Sequence, residues 1–555
     1  MHIMDADNLD AVVSHVGGLG LYQILWVIIF LIPLSLGAAN LAASIFQAMN
    51  PRVRCKSPFE PTFRNACSTN FGKFLFPEER GELSKCSRFD LSGTDWIALA
   101  NSSDDIFTIN CNSTMNETIP SVKCTEWEFD RSIMQSTIVT EFNLVCADRW
   151  AGYFAQSALM LGVGIGSLVA GFVSDRIGRR IAFLIVCAGA AIFGVSLSFT
   201  QNYATFCTMR FFVGFFIYSA FPITFVLIAE ITLPKYRTLL GQVLELSFPL
   251  GFMLVAMISY YLREWRTIQL AISAPYLIGI LIWWLMPESP RWLVQRNRKK
   301  EALKVLSGIA RINRMPKISE QDAFGTVGKE IKNETEIENK SGAKAVFKSP
   351  HLRSTTFKEF YIWFSVSCVY YGLTLNAAEL DGDPFRNVCL NALAEIISNF
   401  LAIPLINYFG RRLSGSVAQL SAGMLCIILP FVPGAMLPIA ILGKFAIAVG
   451  FSATYIHTNE IYPTSVRTMG LCACNLMARV GGVLSPIIAM SGEVMTFLPY
   501  IIFGIISTIA GGLCLTLPET KGKKLPQTIE DGEEIIMKDS SIFGKYRKQE
   551  SNAQI

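Results

Sequence analysis

Three charged side chains, Arg479, Glu395 and Lys444, stand inside long apolar runs of this sequence. An ionisable group in a membrane-spanning segment costs about 3 kcal/mol on insertion scales and marks a functional position by default. A guanidinium keeps its proton and matches a carboxylate bidentately. Arg479 therefore suits an anionic group, and Glu395 offers the opposite charge. The plainer alternative for Arg479 is a fixed internal pair with Glu395 or another acid. Glu245, nearer one end of its run, is a further acid candidate. Trp363, Tyr370 and Tyr371 share one run, and Tyr218, Phe451 and Tyr455 lie in others. Ring faces of this kind bind ammonium groups and pack on organic rings. Catalysis has no support: there is no nucleophile–base pair, phosphate loop or metal-ligand spacing, and only 4 histidines. No cofactor is expected.

These residues must be positioned by membrane helices. The chain has 555 residues, of which 52% are hydrophobic and only 16% charged. Each crossing needs roughly 20 apolar residues. Apolar windows fall near 21–49, 150–172, 181–200, 204–229, 239–262, 267–286, 357–378, 386–407, 413–432, 436–459, 468–491 and 496–517. Twelve helices are predicted, because continuous runs of this length satisfy their backbone internally. Arg479 stands twelve residues beyond Arg467, about 18 Å along a helix, which puts it near mid-membrane. Pro222, Pro249, Pro404 and Pro486 are expected to break helices near mid-span, and Asn40 and Gln47 to line a cavity. The net charge of +5 comes from the loops and gives no case for nucleic acid.

The polar punctuation is duplicated. Gly178-Arg179-Arg180 recurs 232 residues later as Gly410-Arg411-Arg412. Glu230…Arg237 recurs as Glu460…Arg467, and Pro287-Glu288 as Pro518-Glu519. A parallel repeat of six helices is a transporter design. Asp175, Arg176, Arg179 and Arg180, with Arg411 and Arg412 in the second copy, read as paired gates. Glu230 with Arg237, and Glu460 with Arg467, are expected to form inter-helix ion pairs on the cytoplasmic face and to bias alternating access there.

Basic residues between spans place both termini in the cytoplasm; Arg263 and Arg266 are a local exception. The expected organisation is a cytoplasmic N-terminus (1–20), a first half (21–286) containing an extracellular loop (50–149), a cytoplasmic linker (287–356), a second half (357–517) and a cytoplasmic tail (518–555). The loop carries Cys55, Cys67, Cys86, Cys111, Cys124 and Cys146, which suit up to three disulfides of open connectivity. Its sequons at Asn101, Asn112 and Asn116 are candidate glycosylation sites. In the linker, Arg291–Ile312 has helical spacing, and 316–350 is polar.

The GRR turns, the two Glu-to-Arg boxes, PESPRW (287–292) and PETKG (518–522) resemble the major facilitator superfamily. The Cys-rich loop, STIVTEFNLVC (136–146), WFSVSCVYYGLTLN (363–376) and the tail PETKGKKLPQTIEDGEE resemble solute carrier family 22, the polyspecific organic ion transporters. This resemblance implies an all-α fold of twelve helices in two halves, a central cavity and alternating access at the plasma membrane. MARVGGVLSP (477–486) and LGK (442–444) are similar to the anion- and carnitine-type members, which have Arg at 479, whereas cation members have Asp. Glu395 departs from the anion pattern, which has Lys there. Organic anions or carnitine-like zwitterions are thus the first expectation. An organic cation carrier using Glu395 and Glu245 is the alternative, and a non-transporting membrane sensor the third. A sodium ion, proton or counter-anion remains open as the driving partner.

Overall fold

The computed structural model describes residues 12–57, 76–79, 82–90, 121–316, 318, 343–463, 466–523 and 526–539. Eleven helices among them are long and apolar enough to cross a membrane. They are α1 (Leu21–Gln47), α2 (Cys146–Ile177), α3 (Arg179–Leu197), α4 (Tyr203–Glu230), α5 (Pro234–Leu262), α6 (Trp265–Leu285), α8 (Pro384–Phe409), α9 (Arg411–Phe431), α10 (Met436–Ile461), α11 (Met469–Glu493) and α12 (Leu498–Leu515). The seventh predicted run is also a helix, α7 (Pro350–Leu375), packed on α11, α12 and α10. Its buried face carries Glu359, Ser365, Ser367 and Thr374, so its composition is more polar than that of its neighbours.

The repeat seen in the sequence is a repeat in packing. α1 lies on α5 as α7 lies on α11, and α3 on α4 as α9 on α10. α5 also crosses to α8, joining the halves. Residues such as Phe172, Ile192, Leu281, Trp284 and Leu285 point outward, as helices facing lipid require. Pro404 and Pro486 lie within continuous helices. The interruptions of α4 and α5 fall instead at Tyr218–Ser219 and Leu246, just ahead of Pro222 and Pro249. There the proline's missing N–H falls in a first turn, where no partner is lost.

Two buried polar side chains expected to face a cavity serve packing. Asn40 Oδ1 accepts from Gln269 Nε2 at 2.9 Å and from Ser273 Oγ at 3.1 Å, tying α1 to α6. Gln47 Nε2 donates to the Trp265 carbonyl. The exceptional Arg266 also has a local role. It donates to the carbonyls of Ser198 and Thr200 just past the end of α3. A cation there satisfies orphan carbonyls and the helix dipole.

The linker helix predicted over 291–312 is split into Pro290–Gln295 and Lys299–Ile312, with Asn297 at φ 58° between them. Past its end, Asn313 donates to the carbonyls of Val16 and Gly17 and accepts from the Tyr22 N–H. The region read as polar up to residue 350 ends in a helix, Ala343–Lys348, and the tail contains another, Ile529–Asp539.

Residues 47–152 form a separate unit together with 263–265. Its described residues form three two-stranded antiparallel pairs: 53–55 with 127–129, 78–79 with 82–83, and 87–89 with 121–123. Cys55 bonds Cys124 and Cys86 bonds Cys146. Cys67 and Cys111, and the sequons at Asn101, Asn112 and Asn116, lie outside the described residues.

Candidate functional site

Each GRR turn is built the same way. Gly178 and Gly410 adopt φ 97° and 91°, with ψ 157° and 166°, a region open essentially to glycine alone. The following helix therefore begins with free N–H groups aimed at a carboxylate. Arg179 and Arg180 N–H donate to Glu288, at 2.9 and 3.2 Å. Arg411 and Arg412 N–H donate to Glu519, at 2.9 and 3.1 Å. An acid at a helix start satisfies orphan donors and opposes the dipole. Burial alone would raise the Glu519 carboxyl, but backbone N–H donors from Lys521, Arg411 and Arg412 hold it below the usual carboxylate range.

The arginine side chains then reach the Glu-to-Arg boxes. Arg179 pairs with Glu230 at 3.0 Å and with Asp175 at 2.9 Å. Arg411 pairs with Glu460 at 2.9 Å through two parallel hydrogen bonds. The inter-helix pairs expected at these boxes thus form with the GRR arginine as partner. Arg237 instead donates to the carbonyls of Ala229 and Thr232, and Arg467 to that of Tyr462. The reason is geometric: each box arginine lies in the first turn of a new helix after a bend, within reach of the carbonyls that end the previous one. Arg176 lies over the Phe172 ring, and Arg180 donates to the carbonyls of Trp283 and Trp284.

Deeper in the second half, Glu395 and Lys444 are buried and 3.0 Å apart. Tyr370 donates its hydroxyl to Glu395 at 2.7 Å, and Lys444 donates to Thr374 Oγ1 at 2.7 Å. The lysine Nζ also sits 3.1 Å from the Tyr370 ring centroid. This cluster is self-neutralised. Trp363 is buried beneath it, donating to Thr458 and packing against Phe451 and Tyr455.

Arg479 has different surroundings. It is half-buried, its guanidinium lies 4.1 Å over the Tyr218 ring of the first half, and Tyr371 is beside it. Among the described residues no carboxylate pairs with it, and its Nε is buried without a hydrogen-bond partner. Its Cβ nearly touches the space above Gly164 of α2, where a side chain would crowd it. Glu245, at the end of the first segment of α5, is half-buried and has no basic partner among the described residues. The Tyr455 hydroxyl lies within electrostatic reach of both Glu245 and Arg479. Phe221, Phe248 and Ser247 join Tyr218 in lining an adjoining pocket. Phe248 and Thr374 carry no distinctive sequence signal, each being an isolated aromatic or threonine in an apolar run.

A family model described as "Sugar (and other) transporter" matches residues 107–531. A Drosophila melanogaster protein named "Organic cation transporter protein" is 33% identical over 533 residues, covering 94% of each chain. Mouse "Solute carrier family 22 member 3" is 32% identical over 478 residues, covering 85% of this chain and 84% of the relative. The chain belongs to solute carrier family 22. Family membership makes it a multi-pass membrane transporter of the major facilitator fold, not an enzyme. An inward-open structure of the E. coli xylose transporter XylE has the same fold, with TM-score 0.60 at 17% identity, covering 93% of this chain and 100% of that one. The nearer kinship with anion- and carnitine-type members that Arg479 and Lys444 suggested gives way to family membership at large, for the Drosophila relative is named for organic cations.

Proposed function

We propose that the chain carries amphiphilic organic cations and zwitterions across the plasma membrane by alternating access, with both termini in the cytoplasm. The observation that carries this reading is the contrast between the interior charges. Lys444 is already neutralised by Glu395, whereas Glu245 and Arg479, both within electrostatic reach of Tyr455, have no opposite charge of their own among the described residues. Glu245, with the ring faces of Tyr218, Tyr455 and Phe248, suits an ammonium head. Arg479 suits a carboxylate on the same molecule, and Tyr371 and Phe451 supply adaptable apolar contact. Glu395, Lys444, Tyr370 and Trp363 hold the second half's wall in register. The Arg179–Glu230 and Arg411–Glu460 clusters act on the conformational equilibrium and do not touch substrate.

A second reading, transport of organic anions, draws on the same Arg479 guanidinium. Uptake into proteoliposomes separates the two. Glu245→Gln is expected to lower uptake of a labelled quaternary amine at least tenfold and to spare an aryl carboxylate. Arg479→Ala is expected to lower uptake of a betaine more than that of the amine. Loss of carboxylate uptake alone, with amine uptake absent in the wild type, would establish the anion reading instead.

A further inference from the structure

A second buried acid–base pair lies away from the aromatic site. His457 of α10 and Glu359 of α7 are both nearly inaccessible, with Nδ1 2.7 Å from Glu359 Oε1. The other ring nitrogen, Nε2, is 2.9 Å from the carbonyl oxygen of Pro518. A carbonyl can only accept, so Nε2 carries a proton. A proton also lies between Nδ1 and the carboxylate. With both nitrogens protonated the pair is imidazolium and carboxylate; with Glu359 protonated it is two neutral groups. Either way the pair holds one proton more than a neutral imidazole beside a free carboxylate.

Glu359 is held from its other side by Thr458, which donates to Oε2 at 3.0 Å. Among the described residues the remaining titratable and charged neighbours are few. Arg411 and Arg412 of α9 and Cys514 of α12 line a cleft that also reaches His457 and Glu359. Glu519 follows the Pro518 carbonyl and interacts electrostatically with the imidazole. Tyr462 and Cys474 flank Glu359.

The segment that His457 grips belongs to the second gate. Glu519 caps the Arg411 and Arg412 N–H groups, and Thr520 donates to Glu460 Oε2 at 2.6 Å. Releasing the shared proton to water leaves one imidazole nitrogen without hydrogen. If Nε2 loses it, two lone pairs oppose each other at the Pro518 contact; if Nδ1 loses it, a lone pair opposes the carboxylate. Each alternative is repulsive, and the first is relieved by movement of 518–520. The first gate lacks this device, because Leu227 stands three residues before Glu230 where His457 stands three before Glu460.

We propose that Glu359 and His457 form a proton-binding site whose occupancy sets how firmly Pro518–Thr520 clamps the Arg411 turn. One gate thereby responds to pH while its repeat does not. The consequence for flux rests on the transport reading above; the clamp itself does not.

Hydrogen–deuterium exchange of the full-length protein in nanodiscs tests the clamp without substrate. After correction for intrinsic exchange, amides of Arg411, Thr520 and Lys521 are expected to lose protection at least threefold as pH rises from 6 to 8.5. Amides of Arg179 and Arg180 in the first gate are expected to stay constant. His457→Leu is expected to make the second gate as insensitive as the first. Glu359→Gln, which keeps a hydrogen-bonding group, is expected to move the midpoint to lower pH, because the proton loses its counter-charge. A wild type whose second gate is flat with pH, or a His457→Leu protein that still titrates, would overturn the proposal. If that titration is seen but no organic ion is taken up, the transport reading fails and the proton site stands.

Discussion

Lys444 Nζ lies 3.0 Å from Glu395 Oε2 with both side chains buried, and Tyr370 and Thr374 engage one end each. Removing one member of such a pair strands the other charge, at a cost of about 3–5 kcal/mol. Lys444→Met or Glu395→Leu alone is therefore expected to lower the thermal unfolding temperature sharply, while the double variant recovers most of the loss. Equal damage in single and double variants would contradict the self-neutralised reading of this cluster.

The two glycine turns make a paired prediction. At Gly178 and Gly410 a Cβ meets both a strained backbone region and the carboxylate of Glu288 or Glu519. Strain of this type costs about 1–3 kcal/mol. Gly178→Ala and Gly410→Ala are each expected to lower stability by that order, measured by thermal unfolding in detergent. Because the turns occupy different halves, the double variant is expected to show the sum.

Much of this was legible in advance because the signals were repeated. One GRR turn in isolation is ordinary loop basicity; two copies at one offset, each followed by its own Pro-Glu, announce a shared geometry. Sequence could not say which partner each charge takes. Glu230 and Arg237 sit seven apart and looked paired, yet the bend between α4 and α5 turns Arg237 towards carbonyls and brings in Arg179 from α3. Arg479 and Glu395 likewise looked like a site of two signs, but Lys444 claims the glutamate across α8 and α10. Glu359 and His457 are 98 residues apart, and no local pattern links them. Long-range pairing is set by how helices pack, which periodicity does not encode.

Glu519 predicts a response to acid. Its carboxyl titrates below the usual range, because backbone N–H donors outweigh burial. The stability it contributes is therefore full above the ordinary carboxylate value and falls away as pH drops through the lower folded value. Unfolding temperature is expected to fall as pH drops below the ordinary carboxylate range, and Glu519→Gln is expected to flatten part of that fall while lowering stability at neutral pH. Unchanged acid sensitivity in the variant would show that other carboxylates govern this range.

At the end of the bundle where α1 finishes and α8 begins, the halves meet. Phe46 stacks on Phe385 with centroids 5.1 Å apart, and Tyr260 meets the same ring edge-on at 5.5 Å. Nearby, Tyr153 donates to Glu493 at 3.1 Å, and Ser157 to the Val483 carbonyl at 2.9 Å. Alternating access requires these contacts to part when that end opens. Each aromatic pair is worth about 0.5–1.5 kcal/mol, so Phe385→Ala withdraws about 1–3 kcal/mol from the closed arrangement. A shift of 1.4 kcal/mol is tenfold in population. In a background with Cys207→Ser, Cys389→Ser and Cys472→Ser, which removes the free thiols that are not buried among the described residues, a Ser247→Cys substitution in the aromatic pocket reports the change. A membrane-impermeant thiol reagent applied from the Phe385 side is expected to label it about tenfold faster when Phe385→Ala is added. Tyr153→Phe, which removes one hydrogen bond of about 1 kcal/mol, is expected to give a smaller increase. Labelling that ignores both substitutions would mean that this end is held shut by other contacts.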